Sequence, residues 1–326
     1  MAVIQYAGEF QLEECTLCTV SGLELDLTEL VADINIYEDL FSTSVSGTIS
    51  FQDNNNLLGN KDIGIIGQEK LKLKLSTPNA GDTGDRNRII NYTETPLYVY
   101  KIDDKVGVNE NTDAFMLHFT TPEFIRNNHV RVVKSYEGEP SEDIIQNILR
   151  DDDLIASKKE FYYEVTNNHF KLVSPNMHPF DFIVNLSKRC LSKEYDYAPS
   201  FLFYETTKGY FFRTIDSMMD RKNPKGVYRE VSPQEIELRD NKEGVIAKLT
   251  NILDIQVMST TDTMSSRLSG MYGSRLVLLD IFNKDYQEFD YNYLQDFDRD
   301  IHVDQYNRYG STKSPVASTA MDQYGK

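Results

Sequence analysis

The 326-residue chain is poor in cysteine, has no long apolar run and carries no surplus of positive charge, and each absence excludes something. Three cysteines, of which only Cys15 and Cys18 lie close together, argue against a disulfide framework. The Cys15/Cys18 spacing is half of a zinc site, but Cys190 stands alone and no paired histidine follows. No metal site is expected, and buried or idle thiols are the better reading. No stretch approaches the roughly 18 consecutive apolar residues of a membrane helix. The opening "MAVIQYAGEF" lacks the basic start and apolar run of a secretory signal, so synthesis in the cytoplasm is expected. The balance of 51 acidic against 34 basic residues, formally −17, weighs against holding nucleic acid by phosphate neutralisation. It fits an acidic surface that merely keeps the protein dispersed, or a passage whose carboxylates repel phosphates sliding through it.

Catalytic signatures are also missing. His118, His129, His169, His178 and His302 are scattered, and none belongs to an HExxH arrangement. There is no GxSxG, phosphate-binding or dinucleotide fingerprint. Asp296, Asp298 and Asp300 imitate the first three ligands of a calcium loop, but Ile301 stands where glycine is needed and Asn307 where the bidentate glutamate belongs. No catalytic, cofactor-binding or metal-binding residue is assigned, no cofactor is expected, and the chain does not read as an enzyme.

What is present is strand. In "INIYEDLFSTSVSGTISFQD", Val45, Gly47, Ile49 and Phe51 alternate with Ser44, Ser46, Thr48, Ser50 and Gln52. Successive strand residues point to opposite faces, so one face is buried and the other wet. With Ile34 and Ile36 on a partner strand, the stretch predicts a solvated antiparallel hairpin. "KLKLKL" does the same, Leu71, Leu73 and Leu75 opposing Lys70, Lys72 and Lys74, as suits an exposed or edge strand. "NAGDTGDRN" reads as a turn-rich loop. "LYVYKI" and "AFMLHFTTP" predict two more strands, split by the polar "DDKVGVNENTD", so that Val31 to about Thr121 forms an all-β unit of barrel or sandwich type.

After Pro122 the pattern changes. Pro140, Ser141, Glu142 and Asp143 open a helix whose apolar stripe is Ile144, Ile145, Ile148 and Leu149. A second begins near Pro179, with Phe182, Ile183, Leu186 and Cys190 inward, and this mixed α/β region reads as a separate domain. "SFLFYETTKGYFFRTI" predicts a hairpin turning at Gly209. A further strand lies near "LTNILDIQVMS", and Met264, Leu268, Met271 and Arg275 fall at helical spacing. The polar tail from Val303 reads as poorly ordered.

Taken in order, "ADINIYEDLFSTSVSGTISFQDNNNLL", "IIGQEKLKLKL", "LYVYKI", "EGEPSEDIIQNIL", "SPNMHPFDFIVNLSKRC" and "SFLFYETTKGYFFRTI" resemble the central baseplate hub proteins of contractile-tailed phages, related to the amino-terminal part of type VI secretion spike proteins. The resemblance runs from about Val31 to Tyr293. It implies an α+β, β-dominated fold with tail-tube-like antiparallel β-barrel domains and an inserted mixed α/β domain. The expected division is a first barrel at 1–125, the mixed domain at 126–199, and a second, incomplete barrel with a helical insertion at 200–326. It implies a homotrimer forming a pseudo-sixfold ring in the virion tail baseplate. The implied partners are the tail tube protein, a central spike or tail lysozyme and other baseplate proteins, with DNA only in transit. Ser44, Ser46, Thr48 and Ser50, or Lys70, Lys72 and Lys74, would then line the channel or an interface. Members of the family usually complete the second barrel with further strands near the carboxyl terminus, whereas the chain after Tyr293 is short, polar and poor in strand patterns. Either the second barrel is reduced or its completing strands come from elsewhere. Competing readings are a carbohydrate- or receptor-binding β-module, which the 20 tyrosines and 17 phenylalanines would suit, and a tail-associated hydrolase.

Overall fold

The computed structural model describes residues 10–53, 66–76, 89–109, 112–195, 198–219, 229–230, 251–252, 254–256 and 262–296. It is β-dominated, with mostly antiparallel sheets and few helices. The loop 79–87 and the tail from Val303 lie outside the described residues, as do Asp298 and Asp300. Contacts divide the chain into two compact units, Met1–Met218 with Gln234–Asn251, and Met219–Pro233 with Ile252–Lys326.

The first unit begins with β1 (Gln11–Cys18), β2 (Glu24–Asp26), β3 (Val31–Tyr37), β4 (Ser46–Asp53), β5 (Lys70–Ser76), β6 (Ile89–Asn91), β7 (Leu97–Asn109) and β8 (Thr112–Thr120). They form one sheet in the order β2-β1-β5-β7-β8-β4-β3, with β6 paired to β5. The expected hairpin is β3 against β4, with Ile34 opposite Ile49 and Ile36 opposite Gly47. β7 is longer than the polar sequence after Ile102 predicted. In the backbone ladder Val106 pairs with Ala114 and Asn109 with Thr112.

The ends of this path, β2 and β3, are joined by only residues 27–30. The connection is tied to both sides, Leu27 N–H donating to the Cys15 carbonyl at 2.8 Å and Gln52 N–H to the Leu30 carbonyl at 2.9 Å. The sheet is therefore rolled, without a β2–β3 ladder among the described residues. Inside the roll, Cys15, Leu17, Ile49, Phe51, Leu71, Leu73, Phe115, Leu117 and Phe119 share one core. Removing each such large side chain from water stabilises by roughly 1.5–3 kcal/mol.

A second core follows in the same unit. It is built from α1 (Pro122–Asn127), β9 (Ser135–Pro140), α2 (Ser141–Arg150), β10 (Phe161–Tyr163), β11 (His169–Val173), α3 (Pro179–Ser187), β12 (Phe201–Thr206) and β13 (Gly209–Thr214), after which α4 (Ile215–Met219) ends the segment. Both expected helices form as read: Ile144, Ile145, Ile148 and Leu149 of α2 and Phe182, Ile183 and Leu186 of α3 are buried together. Phe201, Phe203, Tyr210 and Phe212 belong to this same core, so the expected boundary at residue 200 falls inside it. β13 pairs antiparallel with β12 and parallel with β10. Gly209 makes both possible: its φ is +139°, and a Cβ there would lie 2.3 Å from the Glu160 carbonyl oxygen. His178 has a framework role, its Nδ1 lying 3.0 Å from the Asn127 carbonyl oxygen and 2.9 Å from that of Val130.

Next in the chain come the two-residue strands β14 (Arg229–Glu230) and β15 (Asn251–Ile252), the latter within the predicted "LTNILDIQVMS" strand. The second unit contains α5 (Thr263–Leu268), β16 (Gly273–Asp280), β17 (Asp285–Asn292) and α6 (Tyr293–Asp296). Here the helical spacing misled: Met264 and Leu268 are helical, whereas Met271 and Arg275 are not. Asp262 caps α5, accepting from Met264 and Ser265 N–H, and Gly270 at φ +80° stops it. Gly270 N–H donates to the Arg267 carbonyl and Met271 N–H to that of Ser266, a Schellman ending. Arg275 instead lies in the third residue pair of the β16–β17 hairpin, opposite Asp290. No helix among the described residues is long and apolar enough to cross a membrane.

Candidate interaction surfaces

The two groups of residues singled out in the sequence lie on one face of one sheet. Across the strands, Asn35 is opposite Thr48, Thr48 opposite His118, and His118 opposite Lys101. In the next row, Tyr37, Ser46, Thr120, Tyr98, Lys70 and Cys18 follow one another. Directly opposed residues share a face, so Ser46, Thr48 and Ser50 and Lys70, Lys72 and Lys74 all point outward while their neighbours fill the roll. Ser44 stands apart: it precedes β4 and is buried, in the turn held by Ser42 Oγ donating to the Ser44 carbonyl.

The lysines of this face are largely neutralised. Lys72 Nζ lies 2.7 Å from Glu24 Oε1 and Lys74 Nζ 2.6 Å from Glu13 Oε2, which holds both carboxyls below and both ammoniums above their ordinary ranges. Lys70 sits 5.6 Å from the centroid of the Tyr98 ring. His118 Nε2 lies 3.8 Å from Asp103 Oδ2. The result is a polar band of mixed sign, with Cys18 on it. Cys15, three residues away on β1, points into the core. Burial pushes the Cys15 and Cys190 thiols up to about 12, so neither is a thiolate at neutral pH.

A second feature was not singled out from the sequence. Glu205, on β12, takes the third inward position after Phe201 and Phe203, and is 1% exposed. Its Oε2 accepts from Val45 N–H and from Thr121 Oγ1, both at 2.9 Å, and its Oε1 from Lys159 Nζ at 2.5 Å. Lys159 Nζ also donates to Glu123 Oε2 at 2.7 Å, whose Oε1 accepts from Ser157 Oγ at 2.8 Å. One ammonium thus serves two buried carboxylates, joining the rolled sheet to the second core. Burial pushes the Glu205 carboxyl up, an effect that Lys159 opposes and Glu123 reinforces. The signal that could have found it is a charged residue at an inward strand position, which requires a partner.

Solvent-facing apolar residues concentrate in the second unit. Every residue of β16 and nearly every residue of β17 is exposed, including Leu276, Leu278, Leu279 and Phe289. Phe282, in the turn, is 98% exposed. Among the described residues β16 and β17 pair only with each other, and a lone two-stranded hairpin is marginally stable in water, so such a surface marks an interaction site.

No family model matches the chain, and no curated protein matches it. Among solved structures, it is similar to the 43 kDa tail protein of prophage MuSo2 from Shewanella oneidensis, at 12% identity and TM-score 0.41, covering 67% of this chain and 56% of that one. It is similar to the tail protein from Neisseria meningitidis MC58, at 10% identity and TM-score 0.47, covering 86% and 67%. It is also similar to an E. coli component of the type VI secretion system, itself described as structurally similar to T4 bacteriophage tail proteins gp27 and gp5, at 8% identity and TM-score 0.35, covering 68% and 52%. The chain thus spans little more than half the length of the first of these.

Proposed function

We propose that this chain is a non-enzymatic structural subunit of a phage tail baseplate hub, three copies of which close into a pseudo-sixfold ring joining the tail tube to the central spike and surrounding the DNA channel. The observation that carries this reading is the rolled antiparallel sheet with a largely polar outer face and two ends, β2 and β3, that no strand covers among the described residues. Uncovered strand ends are templates for pairing with another chain, and in a symmetric oligomer repeated edges close on one another. In this reading the sheet is the first tube-like barrel, and the second core is the mixed α/β domain set into it. The outer face, with Ser46, Thr48, Ser50, Lys70, Lys72 and Lys74, lines the channel or the contact with the neighbouring subunit. Ion-paired lysines among hydroxyls suit a lumen, since they leave little free positive charge to hold passing phosphate.

The test is the solution mass of the purified chain by light scattering, with negative-stain images of the same sample. A trimer with a central opening is expected. A compact monomer at all concentrations, together with binding of a defined glycan, would replace the hub by a receptor-binding module.

A further inference from the structure

We infer that the β16–β17 hairpin is a docking finger whose apolar tip inserts into the groove between β11 and α3 of a second copy of this chain. The finger carries exposed apolar side chains on both faces, Val277 and Leu279 with Arg275 on one and Leu276, Leu278 and Phe289 on the other. On one face, Arg275 is held by Asp290, with Nε and Nη2 at 2.5 and 2.8 Å from its two oxygens, and by Glu288 at 3.1 Å. The other face carries Leu276 opposite Phe289, then Leu278. Leu279, Ile281 and Phe282 crowd the tip, 75%, 85% and 98% exposed.

The tip is pre-shaped. Asp280 Oδ1 accepts from Phe282 and Asn283 N–H at 2.9 and 3.0 Å, Asp280 Oδ2 accepts from Asn283 Nδ2 at 2.6 Å, and Lys284 takes φ +54°. A turn fixed before binding loses less entropy on docking.

The groove has the matching chemistry. A cavity of about 170 Å³ is lined by Leu172, Val173, Pro175, Phe182, Leu186 and Arg189 with Asn185. An apolar cavity of about 150 Å³ seats a benzene ring, so a phenyl side chain fits this one. At its mouth Val173 is 72% exposed, which carries the apolar surface out to solvent. Arg189 is exposed and has no ion pair among the described residues, and Lys188 next to it is exposed too. The finger brings carboxylates to the same place, Asp280 and Asp285 flanking a turn of Ile281, Phe282, Asn283 and Lys284, so two carboxylates stand against one ammonium at its tip. Apolar tip with acidic rim meets apolar groove with basic rim, and that complementarity singles out a second copy as the occupant. The contact uses two different surfaces, so it is head-to-tail and gives a ring if the rotation closes and a filament if it does not. For closure into three it rests on the hub reading above.

The experiment mixes two forms of the full chain, each with one solvent-facing cysteine beside the buried Cys15 and Cys190, made in a Cys18→Ser background and differently tagged. One carries Phe282→Cys, the other Val173→Cys. Oxidation is expected to give a disulfide-linked heterodimer, and Phe282→Asp to weaken self-association about thirtyfold or more by light scattering, the size of a hot-spot loss. Both positions are exposed, so folding is checked by an unchanged melting temperature. Arg189→Glu is expected to weaken association, and a further Asp285→Lys to restore it. If the wild type assembles while no heterodimer forms and Phe282→Asp assembles equally well, the finger contact is overturned and the hub reading stands. A heterodimer from a chain whose mass is not three copies supports the contact and overturns the closed ring. A wild type that stays monomeric and gives no heterodimer overturns both.

Discussion

Glu205 accepts a hydrogen bond from the main-chain N–H of Val45 at 2.9 Å, across 160 residues of sequence. This bond ties the start of β4 to β12 and therefore the rolled sheet to the second core. Because Lys159 and Glu123 complete the cluster, the joint is polar and nearly dry, and its stability depends on every partner being present. Replacing Glu205 by Ala leaves the Lys159 ammonium facing Glu123 alone and Val45 N–H unpaired. The expected loss is about 3–5 kcal/mol in denaturant unfolding. Lys159→Met is expected to cost a similar amount, because two buried carboxylates then lack their counter-ion. Loss of less than about 1 kcal/mol in both variants would show that the joint is open to water.

The same cluster sets a pH dependence. Burial raises the Glu205 carboxyl in the folded protein above its unfolded value of about 4.3, so ionising it is harder folded than unfolded. Its contribution is fully present below the unfolded value and is lost as pH rises through the higher folded one. Glu205→Gln removes that titration while keeping the shape. The stability of the wild type relative to Glu205→Gln should therefore fall as pH rises from about 4 and level off once Glu205 is ionised in the fold. Urea midpoints of the two proteins across that range measure it. A difference that grows with pH would mean that attraction to Lys159 outweighs burial.

Two glycines separate steric from conformational demands. At Gly47 a Cβ would lie 2.3 Å from both the Asn35 carbonyl oxygen and Phe119 Cζ, with no positive φ involved. At Gly138 the φ is +76° and no atom lies within 4 Å of the added carbon. Gly47→Ala should destabilise by about 2 kcal/mol or more, since β3, β4 and Phe119 must all shift. Gly138→Ala should cost about 1 kcal/mol, the backbone strain alone. Thermal melts of the two variants side by side give the comparison.

The three thiols differ by environment, not by sequence. Cys15 and Cys190 are buried, and Cys190 Sγ donates to Ser141 Oγ at 3.0 Å. Cys18 lies half-buried on the outer face, beside Lys72 and Glu24. A thiol reagent at mildly alkaline pH should modify one cysteine in the native protein, Cys18, and all three after denaturation. Rapid native labelling of Cys15 would contradict the closed core of the roll.

What the sequence disclosed was its periodicity. The alternation from Ser44 to Gln52 and in "KLKLKL" placed Ile49, Phe51, Leu71 and Leu73 inward, and the helical stripe in α2 was complete, because burial on one face leaves a local imprint. Non-local facts left none. That Thr48 and Lys72 share a face follows from strand order, which depends on pairings distant in the chain. Glu205 was one acid among many until β12 turned it inward. Around Met271 the local pattern misinformed, because spacing counted apolar residues while Gly270 decided where the helix stopped.

The outer face supplies the last prediction, in which folding and assembly part company. Lys70, Lys72 and Lys74 lie on the outer face of β5, and solvent-screened ion pairs such as Lys72–Glu24 contribute little to stability. Lys70→Glu, Lys72→Glu and Lys74→Glu combined should therefore leave a folded chain with a modestly lowered melting temperature. If the face is an interface between subunits, the triple variant should lose the trimer in light scattering, because like charges then oppose one another across it. If the face lines the channel, the trimer should form and the change should appear only in how fast DNA passes, since added carboxylates repel phosphate. A variant that both assembles and delivers DNA as the wild type does would remove this face from the functional reading.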